Sequence, residues 1–201
     1  MRSIYNFVVE PIGNRYNNAK KLGDKELILN TDIFNHKFIN RKARVISTPI
    51  IGNNTGIKVG DEIIVHHNIF RRWHDVRGNE RNSSSWINEN TYSIYHDQIY
   101  AVKTENSWKP LDGYIFLQPL KEDNEFSTEK EKFIGKVVYG NDEYKKGDIL
   151  GFARVGARFE FVIDGQRLYK VNLNLITIKY ECKGNEETYN PSWAQGSWRV
   201  D

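Results

Sequence analysis

Two stretches of this 201-residue chain bring together side chains that could do chemistry. Between His66 and Arg81, the imidazoles of His66, His67 and His74 stand close in sequence to the Asp75 carboxylate, a zinc-type donor set. Neighbours on a strand point to opposite faces, however, so His66 and His67 are not expected to reach one ion, and no metal site is expected. The same stretch carries Arg71, Arg72, Arg77 and Arg81, with Trp73 inside it and Trp86 just beyond, residue types that pair with phosphate and stack on bases. Asp75, Glu80 and Glu89 dilute that charge, so nucleic acid is not the expected partner. The second stretch is the C-terminal segment 183–201. Its glycines, asparagine and Pro191 predict irregular structure, and Trp193 and Trp198 are too apolar to be left in water, so they are expected to pack on the chain's own fold or on an adjacent subunit. No nucleophile elbow and no glycine-rich phosphate loop is present, and the single cysteine, Cys182, has no partner thiol in the chain; neither an enzyme nor a cofactor is expected.

The elements that must position these residues read as strands. Aromatic residues make up 13% of the chain, with eleven tyrosines and ten phenylalanines against one methionine, a bias that suits pleated, half-buried surfaces. A net charge of +3, from 29 basic and 26 acidic residues, argues for neither nucleic acid nor membrane. No apolar run approaches the ~20 residues of a membrane helix, and the start of the chain shows no signal-peptide stretch. With no disulfide framework, the cytoplasm is the expected location. The clearest local element is a hairpin: Arg158 to Ile163, a turn at Asp164-Gly165, then Gln166 to Val171, because Asp-Gly supplies the positive φ angles of a type I′ turn.

The chain also repeats itself. Phe7-Val8-Val9-Glu10-Pro11 matches Ile115-Phe116-Leu117-Gln118-Pro119 at an offset of 108, and Ala43-Arg44-Val45-Ile46 matches Gly135-Lys136-Val137-Val138 at 92. Lys58-Val59-Gly60-Asp61 matches Lys145-Lys146-Gly147-Asp148 at 87, and the run from Tyr92 to Ala101 matches that from Tyr169 to Ile178 at 77. The order is kept while the offset falls, so the first copy carries extra residues, and insertions belong in loops. Residues 1–103 and 111–182 are expected as two β-barrels joined by the linker 104–110, with 183–201 as a C-terminal extension.

The order G-K-V-V-x-G strand, K-x-G-D turn, strand, hairpin and closing strand, found at 135–140, 145–148, 149–150, 158–171 and 175–178, resembles the GroES-type co-chaperonin family; Asp97-Gln98-Ile99-Tyr100-Ala101-Val102 is similar to that family's closing strand in the first copy. The resemblance implies an all-β fold of two tandem GroES-like barrels, with a long loop in the first copy and an irregular tail. It implies a non-enzymatic co-chaperonin that forms a homo-oligomeric, ring-type lid on a GroEL-like chaperonin ring and assists protein folding, with ATP belonging to the partner. By the same resemblance Leu27, Ile28 and Leu29, in the long loop after the first strand, stand where the family carries its aliphatic docking tripeptide. Each aliphatic side chain buried there would contribute ~2 kcal/mol, offset by the cost of ordering the loop. The competing reading of Leu27 to Leu29 is an ordinary buried strand. The second copy's loop, from Leu120 to Lys130, has no such triplet and offers only Phe126. The rival function is a structural or assembly protein, of viral origin for example and then in the host cytoplasm, that reuses the barrels as an interaction module.

Overall fold

The computed structural model describes residues 3–16, 19–22, 25–28, 35–36, 38–105, 107–111, 113–120, 133–153, 159–181, 188 and 190. The chain is all-β: its described residues form strands and three single-turn 3-10 helices, with no α-helix. It divides into two compact units, Met1–Ser107 and Trp108–Asp201. In the first lie β1 (Phe7–Pro11), β2 (Ala19–Leu22), β3 (Lys25–Ile28), β4 (Lys42–Ser47), β5 (Glu62–Val65), β6 (Arg72–His74), β7 (Glu80–Asn82), β8 (Trp86–Asn88), β9 (Thr91–Ile94) and β10 (Ile99–Thr104). At the boundary lies β11 (Ser107–Pro110), so most of the segment read as a linker is itself strand. The second unit holds β12 (Tyr114–Pro119), β13 (Ile134–Tyr139), β14 (Ile149–Phe152), β15 (Phe159–Ile163), β16 (Gln166–Asn172) and β17 (Ile176–Tyr180).

Six strands of the seven-stranded main sheet in the first unit run β8-β9-β1-β4-β5-β10, and the six-stranded sheet of the second runs β15-β16-β12-β13-β14-β17. Strand for strand this is one topology, and the sequence offsets carry over to the hydrogen-bond register. Val9 opposes Val45 and Tyr92 in the first unit, and Leu117 opposes Val137 and Tyr169 in the second. Ala43 faces Ile63 as Gly135 faces Leu150. Both irregularities repeat as well: the register shifts between Val8 and Val9 and between Phe116 and Leu117, and again between Ile99 and Ala101 and between Gly151 and Phe152. Such bulges locally bend and twist a strand, so a repeated bulge fixes a repeated shape.

The K-x-G-D turns explain why the registers agree. Asp61 Oδ2 accepts the Lys58 N–H at 2.8 Å, and Asp148 Oδ2 accepts the Lys145 N–H at 2.9 Å. Gly60 and Gly147 both sit at φ +95°, where only glycine is unstrained. Each glycine N–H then donates to a strand carbonyl, Val45 or Val137. The Asp164-Gly165 hairpin forms as its sequence predicts, with φ values of +52° and +73°.

The same seven positions build both cores. In the second unit Ile115, Leu117, Val137, Leu150, Phe152, Tyr169 and Val171 cluster. Their counterparts Phe7, Val9, Val45, Ile63, Val65, Tyr92 and Ile94 are all buried in the first. Gly135 sits where the backbones approach: a Cβ there would lie 2.8 Å from Leu117 Cβ and 3.1 Å from the Gln118 carbonyl oxygen. Thr188, in the C-terminal segment, bridges to Leu120, and Asn190 accepts the Arg167 N–H while donating to the Gly165 carbonyl. Trp193 and Trp198 lie outside the described residues.

The glycines separate two kinds of cost. Gly60→Ala and Gly147→Ala should each lose about 1–3 kcal/mol from left-handed strain alone, since nothing would meet the added Cβ. Gly140→Ala should cost more than either, because its Cβ would overlap the Tyr144 carbonyl oxygen and Tyr144 N already bonds Asn141. Urea unfolding of the three variants checks this; equal midpoints for all three would contradict it.

Candidate partner-binding site on the first unit

Leu27 and Ile28 form the end of β3, which pairs antiparallel with β2 in the register Ala19 to Ile28 and Leu27 to Lys20. Leu29 lies outside the described residues. The two-stranded ribbon belongs to the long insertion after β1, the place the resemblance assigned to a docking loop.

The two ends of that insertion come together on the body of the unit. Tyr16 and Ile39 form an antiparallel bridge, and the Asn40 N–H donates to the Arg15 carbonyl at 2.9 Å. Asn40 is buried, and its amide is used fully: Nδ2 donates to the Ile12 and Asn14 carbonyls, both at 2.9 Å, and Oδ1 accepts the Lys42 N–H. An asparagine suits the place because one side chain supplies both donors and an acceptor to three separate backbone groups.

The 66–90 insertion packs against the same place. Its β6–β7 hairpin pairs Arg72 with Asn82 and His74 with Glu80. The connecting turn is organised by Asp75, whose carboxylate accepts the Arg77 and Asn79 backbone N–H groups at 2.9 Å. The Asn79 backbone, then the Asn79 side chain, Arg77 and Arg81, hold the Asp75 carboxyl down at about 2. Arg72 pairs with Glu80 at 3.1 Å and Arg81 with Asp75 at 2.9 Å, so two of the four arginines available for phosphate are already engaged with carboxylates. Trp73 and Trp86 are exposed, with their indole N–H groups turned onto the Asn82 and Glu89 carbonyls.

The histidines are arranged differently from the strand reading. His66 precedes a 3-10 turn, His67–Ile69, rather than continuing β5, so the two rings do not fall on opposite faces but stack at 4.3 Å. His66 Nδ1 accepts the Asn68 N–H, His36 lies 5.6 Å from His67, and His74 is the last residue of β6. Among the described residues no three His, Cys, Asp or Glu side chains are grouped to hold a metal ion, and no helix is long and apolar enough to cross a membrane. Burial pushes His67 down to about 3, with Arg41, His66, His36 and Arg71 adding like charge. Arg41, itself buried, is drawn down to about 10 by the same loss of water.

Arg15, Tyr16, Asn40 and Arg41 escape sequence reasoning. They lie outside any run of like residues, and only the meeting of two insertions distant in sequence gives them a role. No known family model matches the chain, and no curated protein matches its sequence.

The His67 environment makes the first unit acid-sensitive. The unfolded chain takes up this proton near the ordinary 6.5, whereas the folded one resists it to about 3. Stability from this site is therefore complete above pH ~6.5 and is lost as pH falls toward 3. His67→Asn should flatten the fall in urea midpoint between pH 7 and pH 4; an identical pH slope in the variant would count against the assignment.

Proposed function

We propose that the chain is a tandem, non-enzymatic co-chaperonin-like protein whose two units are GroES-like barrels, and that Leu27, Ile28 and Leu29 are its docking element for a GroEL-type ring. The observation that carries the reading is the placement of the β2–β3 ribbon. One scaffold occurs twice, in identical register, with the motif order of that family, and the aliphatic triplet sits in the loop after the first strand of one copy alone. A scaffold conserved in register beside loops that differ is the pattern expected where the frame serves as support and the loops make the interactions.

Self-assembly belongs to this reading. The last strand of the second sheet, β17, stands at an edge and leaves Ile178 and Tyr180 exposed. An exposed apolar edge strand is a template for pairing with another chain.

A second reading, an assembly module without a chaperonin, draws on a different surface. Ile4, Tyr5, Ile50 and Ile51 are all more than half exposed. They are held side by side by the Ser3–Pro49 bridge and by hydrogen bonds from Ile50 to Ser3 and from Ile51 to Ile4. Apolar side chains gathered in this way mark interaction surfaces in general.

Co-sedimentation with a GroEL-type ring and ATP separates the two. The wild-type chain should sediment with the ring, and a Leu27→Ser, Ile28→Ser, Leu29→Ser variant should stay in the supernatant with unchanged circular dichroism. Unfolding of that variant would instead favour a buried strand, and a wild-type chain that never sediments would leave the assembly-module reading. Light scattering should find a species larger than the monomer, reduced by Ile178→Glu with Tyr180→Glu; a strict monomer at high concentration would contradict the lid.

A further inference from the structure

The two insertions peculiar to the first copy are tied to each other. Arg15, which leads into the insertion after β1, turns its guanidinium toward the 66–90 insertion: Nε and Nη2 donate to the Phe70 carbonyl at 3.2 and 3.1 Å, and Nη1 donates to Asn82 Oδ1 at 2.8 Å. Its neighbour Tyr16 accepts the Arg72 N–H on its hydroxyl at 2.8 Å, and the Arg72 guanidinium lies over the Tyr16 ring at 4.9 Å. The far side of this joint is anchored in turn. Ile69 and Phe70 are fully buried, Phe70 meets Tyr92 edge-on at 4.9 Å, and Ser83 Oγ donates to the Ile69 carbonyl at 2.6 Å. Arg15 also lies over the Tyr92 ring, at 5.5 Å.

The second unit provides the comparison. Among its described residues nothing between β14 and β15 corresponds to the 3-10 turn and the β6–β7 hairpin, and Leu120, at the end of β12, bridges to Thr188. The copy with the aliphatic triplet is the copy with the extra hairpin. A loop acting only as a tether needs one secure attachment, and the Tyr16–Ile39 bridge with Asn40 already provides it. Five further polar and aromatic contacts onto a separate insertion do something else: they fix the orientation of the residues from which the loop departs.

We propose that the 66–90 insertion is a brace that sets the direction in which the β2–β3 ribbon, with Leu27 and Ile28, leaves the first unit, with Arg15 and Tyr16 as its positioning residues. This rests on the docking role proposed above. The physical benefit is pre-organisation: holding a binding segment near its bound orientation before encounter lowers the ordering cost that association must meet.

The test is calorimetric titration of the full chain into a GroEL-type ring with ATP, which reads affinity and stoichiometry separately. Arg15→Met keeps the aliphatic stem and removes all three donated hydrogen bonds; Tyr16→Phe keeps the ring, removes the hydroxyl that accepts the Arg72 N–H, and carries the test if Arg15→Met does not fold. The expected result is binding weakened by about tenfold for Arg15→Met, and by less for Tyr16→Phe, at unchanged stoichiometry, as a lost pre-organisation predicts. A merely structural role would lower the competent fraction and leave the affinity of the remainder alone. Affinity within twofold of wild type in both variants, or a loss confined to stoichiometry, overturns the brace while the docking role stands. Wild-type affinity in the triple-serine variant overturns the docking role itself, and the brace with it.

Discussion

The structure depends first on a reciprocal pair of backbone hydrogen bonds at each K-x-G-D turn. Gly60 donates to the Val45 carbonyl and Val45 donates to the Asp61 carbonyl; Gly147 and Val137, with Asp148, do the same in the second unit. The pair docks each turn onto the strand that precedes it, β4 or β13, and so decides where the next strand begins. A slip of one residue in that strand would turn its buried face outward. From β5 the constraint passes to β10 and from β14 to β17, each with its bulge, so one local geometry propagates through half of each sheet.

That geometry was legible because it is written in residues with few substitutes. Glycine is needed where φ is +95°, and aspartate is the short acceptor that closes the turn on its own amide. The Asp164-Gly165 hairpin was legible for the same reason. The candidate site was less so. Leu27 and Ile28 stand out in sequence as apolar residues in a polar stretch, but whether such residues dock or are buried is decided by tertiary surroundings that periodicity does not report. His66 and His67 were read as strand because β5 leads straight into them; the chain turns into a 3-10 helix there, and the inference from alternating faces fails with it. Arg15 and Asn40 had no signal at all, since each serves backbone groups far away in the sequence.

The two copies divide labour in a way that loop lengths alone suggest and the hydrogen bonds make specific. In the second unit Thr188 and Asn190 of the chain's own C-terminal segment tie to Leu120 at the end of β12 and to the tip of the β15–β16 hairpin. In the first unit the start of the insertion after β1 is tied to an inserted hairpin instead. The first unit thus carries the exposed Trp73 and Trp86, the histidine and arginine cluster and the aliphatic triplet, while the second keeps shorter loops on an equivalent frame.

Gly135 gives this duplication a limit. Its counterpart in the first copy is Ala43, a buried methyl group at the same place in the register, whereas at Gly135 a methyl group would press on Leu117 and on the Gln118 carbonyl. One place in the shared register therefore holds a methyl group in one copy and excludes it in the other. A strand exchanged between the two halves would bring a side chain that its new neighbours do not fit, so the halves share a frame without being interchangeable.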